Sequence, residues 1–261
     1  WAGFALLLVA AQPGFTQDRA PLVGVWRLVS FEREYQGSDD REYPMGRIPS
    51  GYIQFLAEGR MTVVITAEGR KAPATDADRA AEDLIVEAIR REFPGHDILT
   101  EETITEKTGS KWLWVVDPLD GTVNFSHGYP MFCVSIALMN DGEVIAGTVY
   151  DPVHQESFSA FLGGGAFLNG NPARVSAAES LNRSIVATGF PYDKAFSEIN
   201  NIAEFTRVVM RVQGIRREGS AALDLAYVSC GRLDGFWELK LKPWDMAAGM
   251  LLVSEAGGRV T

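Results

Sequence analysis

The sequence predicts an α/β protein, with strands and helices in layers over most of the chain and a small β-meander ahead of them. Three observations carry this. Residues 21–70 hold β-branched and aromatic runs with alternation. After Pro73 the apolar spacing becomes helical. From there short apolar runs alternate with helical stretches to the end of the chain.

The chain opens on an apolar run, Trp1 to Ala11, that turns polar at Gln12-Pro13-Gly14. A bilayer span takes about 20 residues, so this run is too short to cross one. Residues 1–20 match a signal-peptide core without its basic leader; an ordinary buried segment is the alternative. Val23–Glu32 reads as a strand, and Ser50–Leu56 and Arg60–Thr66 flank Ala57-Glu58-Gly59, a hairpin-like turn. Three strands alone are marginal and need a partner surface. Thr75-Asp76-Ala77-Asp78 then caps a helix, in which Leu84, Ile85, Ala88 and Ile89 recur until about Phe93-Pro94-Gly95. Strands follow at Trp112–Val116, Cys133–Leu138, Val144–Tyr150 and Ser184–Thr188. Helices are expected over Ala221–Ser229 and Met246–Glu255, the last leading into Gly257-Gly258.

Composition narrows the function. The 261 residues carry 24 Lys and Arg against 34 Asp and Glu, a net charge of −10. That disfavours nucleic acid and anionic membranes as main partners and suits a protein that gathers cations. A hydrophobic fraction of 46% supplies an ample core, and no later run is long enough to span a membrane. Cys133 and Cys230 lie in apolar stretches and read as buried thiols, not a disulfide framework.

The chemistry lies in three acidic words: Ile98-Leu-Thr-Glu101-Glu102, then Trp114-Val-Val-Asp117-Pro118-Leu119-Asp120-Gly121-Thr122, then Pro243-Trp244-Asp245. In the second, a hydrophobic strand delivers Asp117 to a strand end. Pro118 forces a turn, Asp120 follows on the same side, and Gly121-Thr122 opens a helix. Carboxylates bind hard cations such as Mg²⁺, and amides at a helix start bind phosphate. Taken alone, the word is equally a solvated acidic turn.

The words together, with WVVDPLDGTVNFSHGYPMFCVSIAL, GGGAFLNG, RREGSAALDLAYVSCGRLDGFWE and LKPWDMAAGMLLVSEAGG in this order, resemble the inositol monophosphatase family over about residues 73–261. The resemblance implies a layered αβαβα sugar-phosphatase-type fold, Mg²⁺ as cofactor, a small phosphate monoester as substrate and a homodimer. It implies one Mg²⁺ on Glu101, Asp117 and the Leu119 carbonyl, a second on Asp117, Asp120 and Asp245, and a third, weaker ion by Glu101. Glu101 and Thr122 would activate the attacking water, with Asp78 hydrogen-bonded to Thr122. Gly121 and Thr122 amides would hold the phosphate. Glu238 and Ala221 would meet the polyol, Asp120 the hydroxyl near the ester, and Glu102 adjoins the site. Inositol 1-phosphate is the leading substrate; histidinol phosphate or a fructose bisphosphate is the alternative within the superfamily.

Residues 21–75 resemble instead the first half of a bacterial lipocalin-like domain, through LVGVWRLVSFE, IPSGYIQF and GRMTVVITAEGRKAP. That piece stands where the family carries a long helix and a strand, and the family continues beyond Thr261 with a further strand and helix. The fold is therefore expected to be incomplete at both ends, with the segments 1–20, 21–72 and 73–261 belonging to a fusion of two genes or to a natural two-part protein. A rival of another class is a secreted lipocalin-like binding protein with an inactive phosphatase remnant. The phosphatase part points to the cytoplasm, the first segment to export.

Other features carry less. Gly163-Gly164-Gly165 has no following Lys-Ser/Thr and is no nucleotide P-loop. His96, His127 and His154 lack mutual metal spacing, and Trp237 and Trp244 read as packing around the site. Arg216-Arg217 is either a solvated pair or a contact for a partner subunit or a substrate anion.

Overall fold

A computed structural model describes backbone and side chains for residues 76–102 and 108–261; of residues 1–75 and 103–107 it describes only the backbone of the strands and of the first helical residues. Two compact units result, Trp1–Ile85 and Val86–Thr261.

The first unit holds an antiparallel sheet of five strands: β1 (Ala2–Ala10), β2 (Gly24–Tyr35), β3 (Arg41–Glu42), β4 (Ser50–Phe55) and β5 (Met61–Thr66), ordered β1-β2-β4-β5 with β3 on β2. The three expected strands are β2, β4 and β5. The sheet is larger than expected, because Ala2–Ala10 pairs along β2 from Tyr35 to Trp26. Phe55 opposite Met61 makes β4 and β5 a hairpin; its turn, Ala57-Glu58-Gly59, lies outside the described residues. The helix α1 (Ala74–Glu92) begins at the capping sequence and buries Ala77, Ile85, Val86 and Ile89, the spacing of one helical face.

The second unit is built on an eight-stranded sheet: β6 (Asp97–Thr100), β7 (Thr105–Glu106), β8 (Trp112–Asp120), β9 (Cys133–Asn140), β10 (Glu143–Asp151), β11 (Glu156–Phe161), β12 (Gly165–Leu168) and β13 (Asn171–Ala173), in the order β13-β12-β11-β10-β9-β8-β6-β7. Here the expected strand–helix alternation is corrected. Among the described residues β6 and β8 alone pair in parallel in this sheet, and β9 to β13 follow one another as antiparallel neighbours. The reason is turn chemistry. Asp141-Gly142 and Asn169-Gly170 all have positive φ, which is the two-residue hairpin turn that Asp-Gly and Asn-Gly favour.

A three-stranded parallel sheet follows, β14 (Ile185–Thr188) between β15 (Gly214–Arg216) and β16 (Gly235–Trp237). The remaining helices are α2 (Thr122–His127), α3 (Ile202–Val209), α4 (Ala221–Ser229) and α5 (Pro243–Glu255). α5 packs on β8 to β12 with one face and on α4 with the other; α4 also meets β14 and β16. Two helices thus fill the space between two sheets, which explains why both are apolar nearly all round. The approach is close: a Cβ on Gly147 would lie 2.9 Å from Ala248 Cα, and one on Gly249 would lie 2.5 Å from Leu225 Cβ. Leu223, Ala226, Ala248 and Leu252 are fully buried at this seam. Truncating such a leucine to alanine costs about 2–5 kcal/mol.

Candidate active site

β8, an interior strand, carries the second acidic word at its C-terminal end. Val115 and Val116 are buried and make the strand; Asp117, 1% exposed, ends its regular pairing opposite Ser135. A bulge then sets Asp120 opposite Cys133, three residues of β8 against two of β9. Leu119 N donates to Asp117 Oδ1 at 3.0 Å, and Thr122 Oγ1 donates to Leu119 O at 3.0 Å, so the turn is held by its own side chains. Gly121 stands at φ +92°, and a Cβ there would lie 2.8 Å from Met131 O. Only glycine fits that corner, and α2 starts immediately after it.

Asp120 Oδ2 accepts from Ser220 Oγ at 2.6 Å and from Ala222 N at 2.7 Å. Ser220 also caps α4, accepting from Leu223 N. Asp245 sits in the first turn of α5 and accepts from Lys242 N at 2.6 Å. Asp117, Asp120 and Asp245 line one cleft of about 670 Å³, together with Glu101, Leu119, Gly121, Thr122, Ala221 and Glu238. Nine sequence-predicted residues are therefore brought together from segments more than 120 positions apart. Asp78 lies buried on α1 in the first unit, and Glu102 is absent from the cleft lining.

The electrostatics follow from crowding. Burial, then the charges of Asp120, Glu101 and Asp245, push Asp117 well above the usual carboxylate range. Desolvation of the Glu101 carboxyl, with Asp245, Glu102 and Asp120 adding, lifts it to about 7 against a hydrogen bond with Asp117. Burial raises Asp120 to about 6, opposed by its Ser220 and Ala222 donors. Asp245 is also raised by burial, opposed by the Lys242 amide. Among the described residues no three acidic side chains close on one point as a finished cation cage, because Asp120 is turned to α4 and Asp245 to its own helix start. The donor set nonetheless suits a hard divalent cation: oxygen ligands only, negatively charged, and hard to ionise together without one.

Several lining residues escaped sequence reasoning as site residues, among them Asp224, Gly189 and Tyr192. Asp224 is 2% exposed, with Oδ1 buried and lacking a hydrogen-bond partner; burial, then Glu218, raises it to about 9. The signal was a lone charge on the otherwise apolar α4. Gly189 and Tyr192 come from the loop after β14, and neither residue type announces a site by itself. Of the arginine pair, Arg217 lines the cleft, where it opposes the rise of Glu238, lifted by burial to about 7. Trp244 lines the cleft as well, while Trp237 Nε1 donates to Asn201.

Comparison with known proteins agrees with this geometry. The inositol monophosphatase family matches residues 51–261, beginning inside the stretch expected to be lipocalin-like, and the lipocalin-like reading finds no support among the comparisons. An inositol-1-monophosphatase of Synechocystis is 49% identical over 188 residues, 72% of this chain and 66% of that protein. The Nus factor SuhB of Pseudomonas aeruginosa is 46% identical over 218 residues, 81% of this chain and 80% of that one. The solved inositol monophosphatase of Anabaena superposes with a TM-score of 0.69 at 49% identity, over 71% of this chain and 74% of that chain. Among the described residues no helix is long and apolar enough to cross a membrane. With its family match, its relatives and its acidic cleft in accord, the chain belongs to the inositol monophosphatase family.

Proposed function

We propose that the chain is a Mg²⁺-dependent phosphomonoesterase of small polyol or sugar phosphates, with inositol 1-phosphate as its leading substrate. The observation that carries this is the cleft in which Glu101, Asp117, Asp120 and Asp245 meet beside Glu238. Relatives at 44–49% identity named inositol-1-monophosphatase favour inositol 1-phosphate over histidinol phosphate or a fructose bisphosphate.

Glu101, Asp117 and the Leu119 carbonyl are assigned one Mg²⁺; Asp117, Asp120 and Asp245 are assigned a second. Bound there, the ions supply charge neutralisation at the phosphoryl group and a sharpened water nucleophile. The chain's own groups do the rest. Glu101 is assigned to take the water's proton. Thr122 orients that water; its hydroxyl is already fixed by donation to Leu119 O. The Gly121 and Thr122 amides hold the phosphate. Ala221 and Glu238 hold the polyol, with Arg217 beside Glu238 keeping its carboxyl from rising further. Asp120 meets the hydroxyl next to the ester, and Glu102 adds negative charge beside Glu101. The exposed apolar side chains Tyr192, Phe196, Ile199, Ile202 and Met210 support a homodimer as the acting assembly.

The test is phosphate release from inositol 1-phosphate with and without Mg²⁺. Release that requires the cation is expected. A chain that takes up an apolar dye but releases no phosphate at any Mg²⁺ concentration overturns the reading.

A further inference from the structure

Away from the carboxylates, the polyol end of the cleft is tied together by one buried amide. Asn201 precedes α3 at φ +68° and is fully buried. Its Oδ1 accepts from Trp237 Nε1 at 2.7 Å, while its Nδ2 donates to Thr188 Oγ1 at 2.8 Å and to Gly189 O at 2.6 Å. Thr188 Oγ1 in turn donates to Trp237 O at 2.7 Å. The orientation is forced from both sides, since an indole N–H can only donate and a carbonyl can only accept. The three side chains close a ring that joins the end of β14, the end of β16 and the start of α3.

What hangs on this ring is part of the cleft. Thr188, Gly189, Phe190 and Tyr192 line it, and so does Glu238, the residue that follows Trp237. The Glu238 carboxylate lies directly over Gly189: a Cβ there would come within 2.0 Å of Glu238 Oε2. The place of that carboxylate is therefore set by two backbone segments, and Asn201 is what holds those segments to each other.

We propose that Asn201 is a positioning residue for substrate specificity, a buried clamp that fixes Glu238 against Gly189 so that the carboxylate meets a polyol hydroxyl. This rests on the reading of Glu238 as a polyol-binding residue. Asn201 touches no reacting atom. It acts by keeping the carboxylate's reach constant, and a misplacement of about 1 Å in such a group is enough to lose a large share of binding.

Two variants test it. Asn201→Gly deletes the carboxamide and tolerates the positive φ. Trp237→Phe removes the indole N–H and leaves Asn201 in place. For inositol 1-phosphate, KM is expected to rise at least tenfold in Asn201→Gly and at least threefold in Trp237→Phe, with kcat within threefold of wild type. For p-nitrophenyl phosphate, which has no polyol, KM stays within twofold. Amide hydrogen exchange across 188–192 and 236–239 is expected to accelerate together, at least tenfold in Asn201→Gly, while β8 to β10 keep their protection. Equal losses on both substrates, or unchanged exchange in the two segments, overturn the inference. If Asn201→Gly fails to fold, Trp237→Phe decides by the same readouts. A wild-type protein that splits p-nitrophenyl phosphate but no polyol phosphate overturns the proposed function instead, and the clamp is then judged on the exchange result alone.

Discussion

Asp120 Oδ2 accepts a 2.6 Å hydrogen bond from Ser220 Oγ, joining the end of β8 to the cap of α4 across 100 positions of sequence. The same oxygen takes the Ala222 amide at 2.7 Å. One carboxylate oxygen therefore serves the fold, and the other is left to the cleft.

That division leads to a paired prediction for Asp120→Asn and Asp245→Asn. The asparagine oxygen at 120 can keep both donors, and asparagine at 245 can still accept from Lys242 N in the first turn of α5. Each change also removes one negative charge from a cluster whose members raise one another. Melting temperature in a chelator is expected to be unchanged or higher. Phosphate release at saturating Mg²⁺ is expected to fall by orders of magnitude, because a charged oxygen ligand is lost. Near-normal turnover in Asp245→Asn would sink the assignment of that residue to the second ion. Collapse of both variants in chelator would make these carboxylates structural.

Ser220→Ala separates the structural half of the pair. It removes the α4 cap and a donor to Asp120 in one step. Loss of such a cap costs about 1 kcal/mol. The melting transition is expected to drop measurably, and Ser220→Thr to recover most of the loss. A drop no larger than that of a surface serine would show that the cap contributes nothing.

Gly121→Ala probes the corner between the bulge and α2. The new methyl would need φ near +92° and would press on Met131 O at 2.8 Å and Phe132 Cα at 3.1 Å. Both contacts are backbone or close to it, so neither can swing away. Strain at such positions is on the order of 1–3 kcal/mol. Lower stability and a larger loss of turnover are expected, since the Thr122 hydroxyl follows directly. Full activity with an unchanged melting curve would mean that the corner relaxes freely.

Mg²⁺ itself should act as a folding ligand. An ion that binds the native cleft and not the unfolded chain stabilises in proportion to the logarithm of its concentration. The melting temperature is expected to climb with Mg²⁺ in the wild type and to stay flat in Asp117→Asn. An equal climb in both would place the ion elsewhere.

Much of this site was legible because its words are local. Asp117 to Thr122 form one strand end, one turn and one helix start, and each residue type there has a backbone reason as well as a chemical one. Glu101 and Asp245 were legible only through resemblance, since nothing in their own neighbourhoods says that they face Asp117. The sheet was misread where Asp141-Gly142 and Asn169-Gly170 should have announced hairpins, and the short strands β11 to β13 were passed over with them. Asn201 could not be read at all. Its role depends on Trp237 and Thr188, which are 36 and 13 positions away and meet it only after β14, β16 and α3 are in place.

The last prediction concerns Asp224 and pH. Its carboxyl is 2% exposed, and its Oδ1 is buried with no hydrogen-bond partner. Burial first, then Glu218, Asp120 and Glu238, raise it to about 9, with Arg217 opposing. An aspartate in an unfolded chain titrates near 3.9. Between these two values the native state binds a proton that the unfolded state has lost, so stability must fall as pH rises. The contribution is whole below pH of about 4 and is given up progressively until pH of about 9, at a limiting slope of about 1.4 kcal/mol per pH unit. Asp224→Asn has the same shape and never ionises. In a chelator, its melting temperature relative to wild type is therefore expected to rise with each step from pH 5 to pH 9, and to level off above that. The cleft carboxylates titrate in both proteins, so the difference between the two curves reports residue 224 together with its coupling to Asp120 and Glu238. A difference that stays flat across the whole range would mean that Asp224 ionises at its usual pH in the folded protein, and that its charge has found a partner.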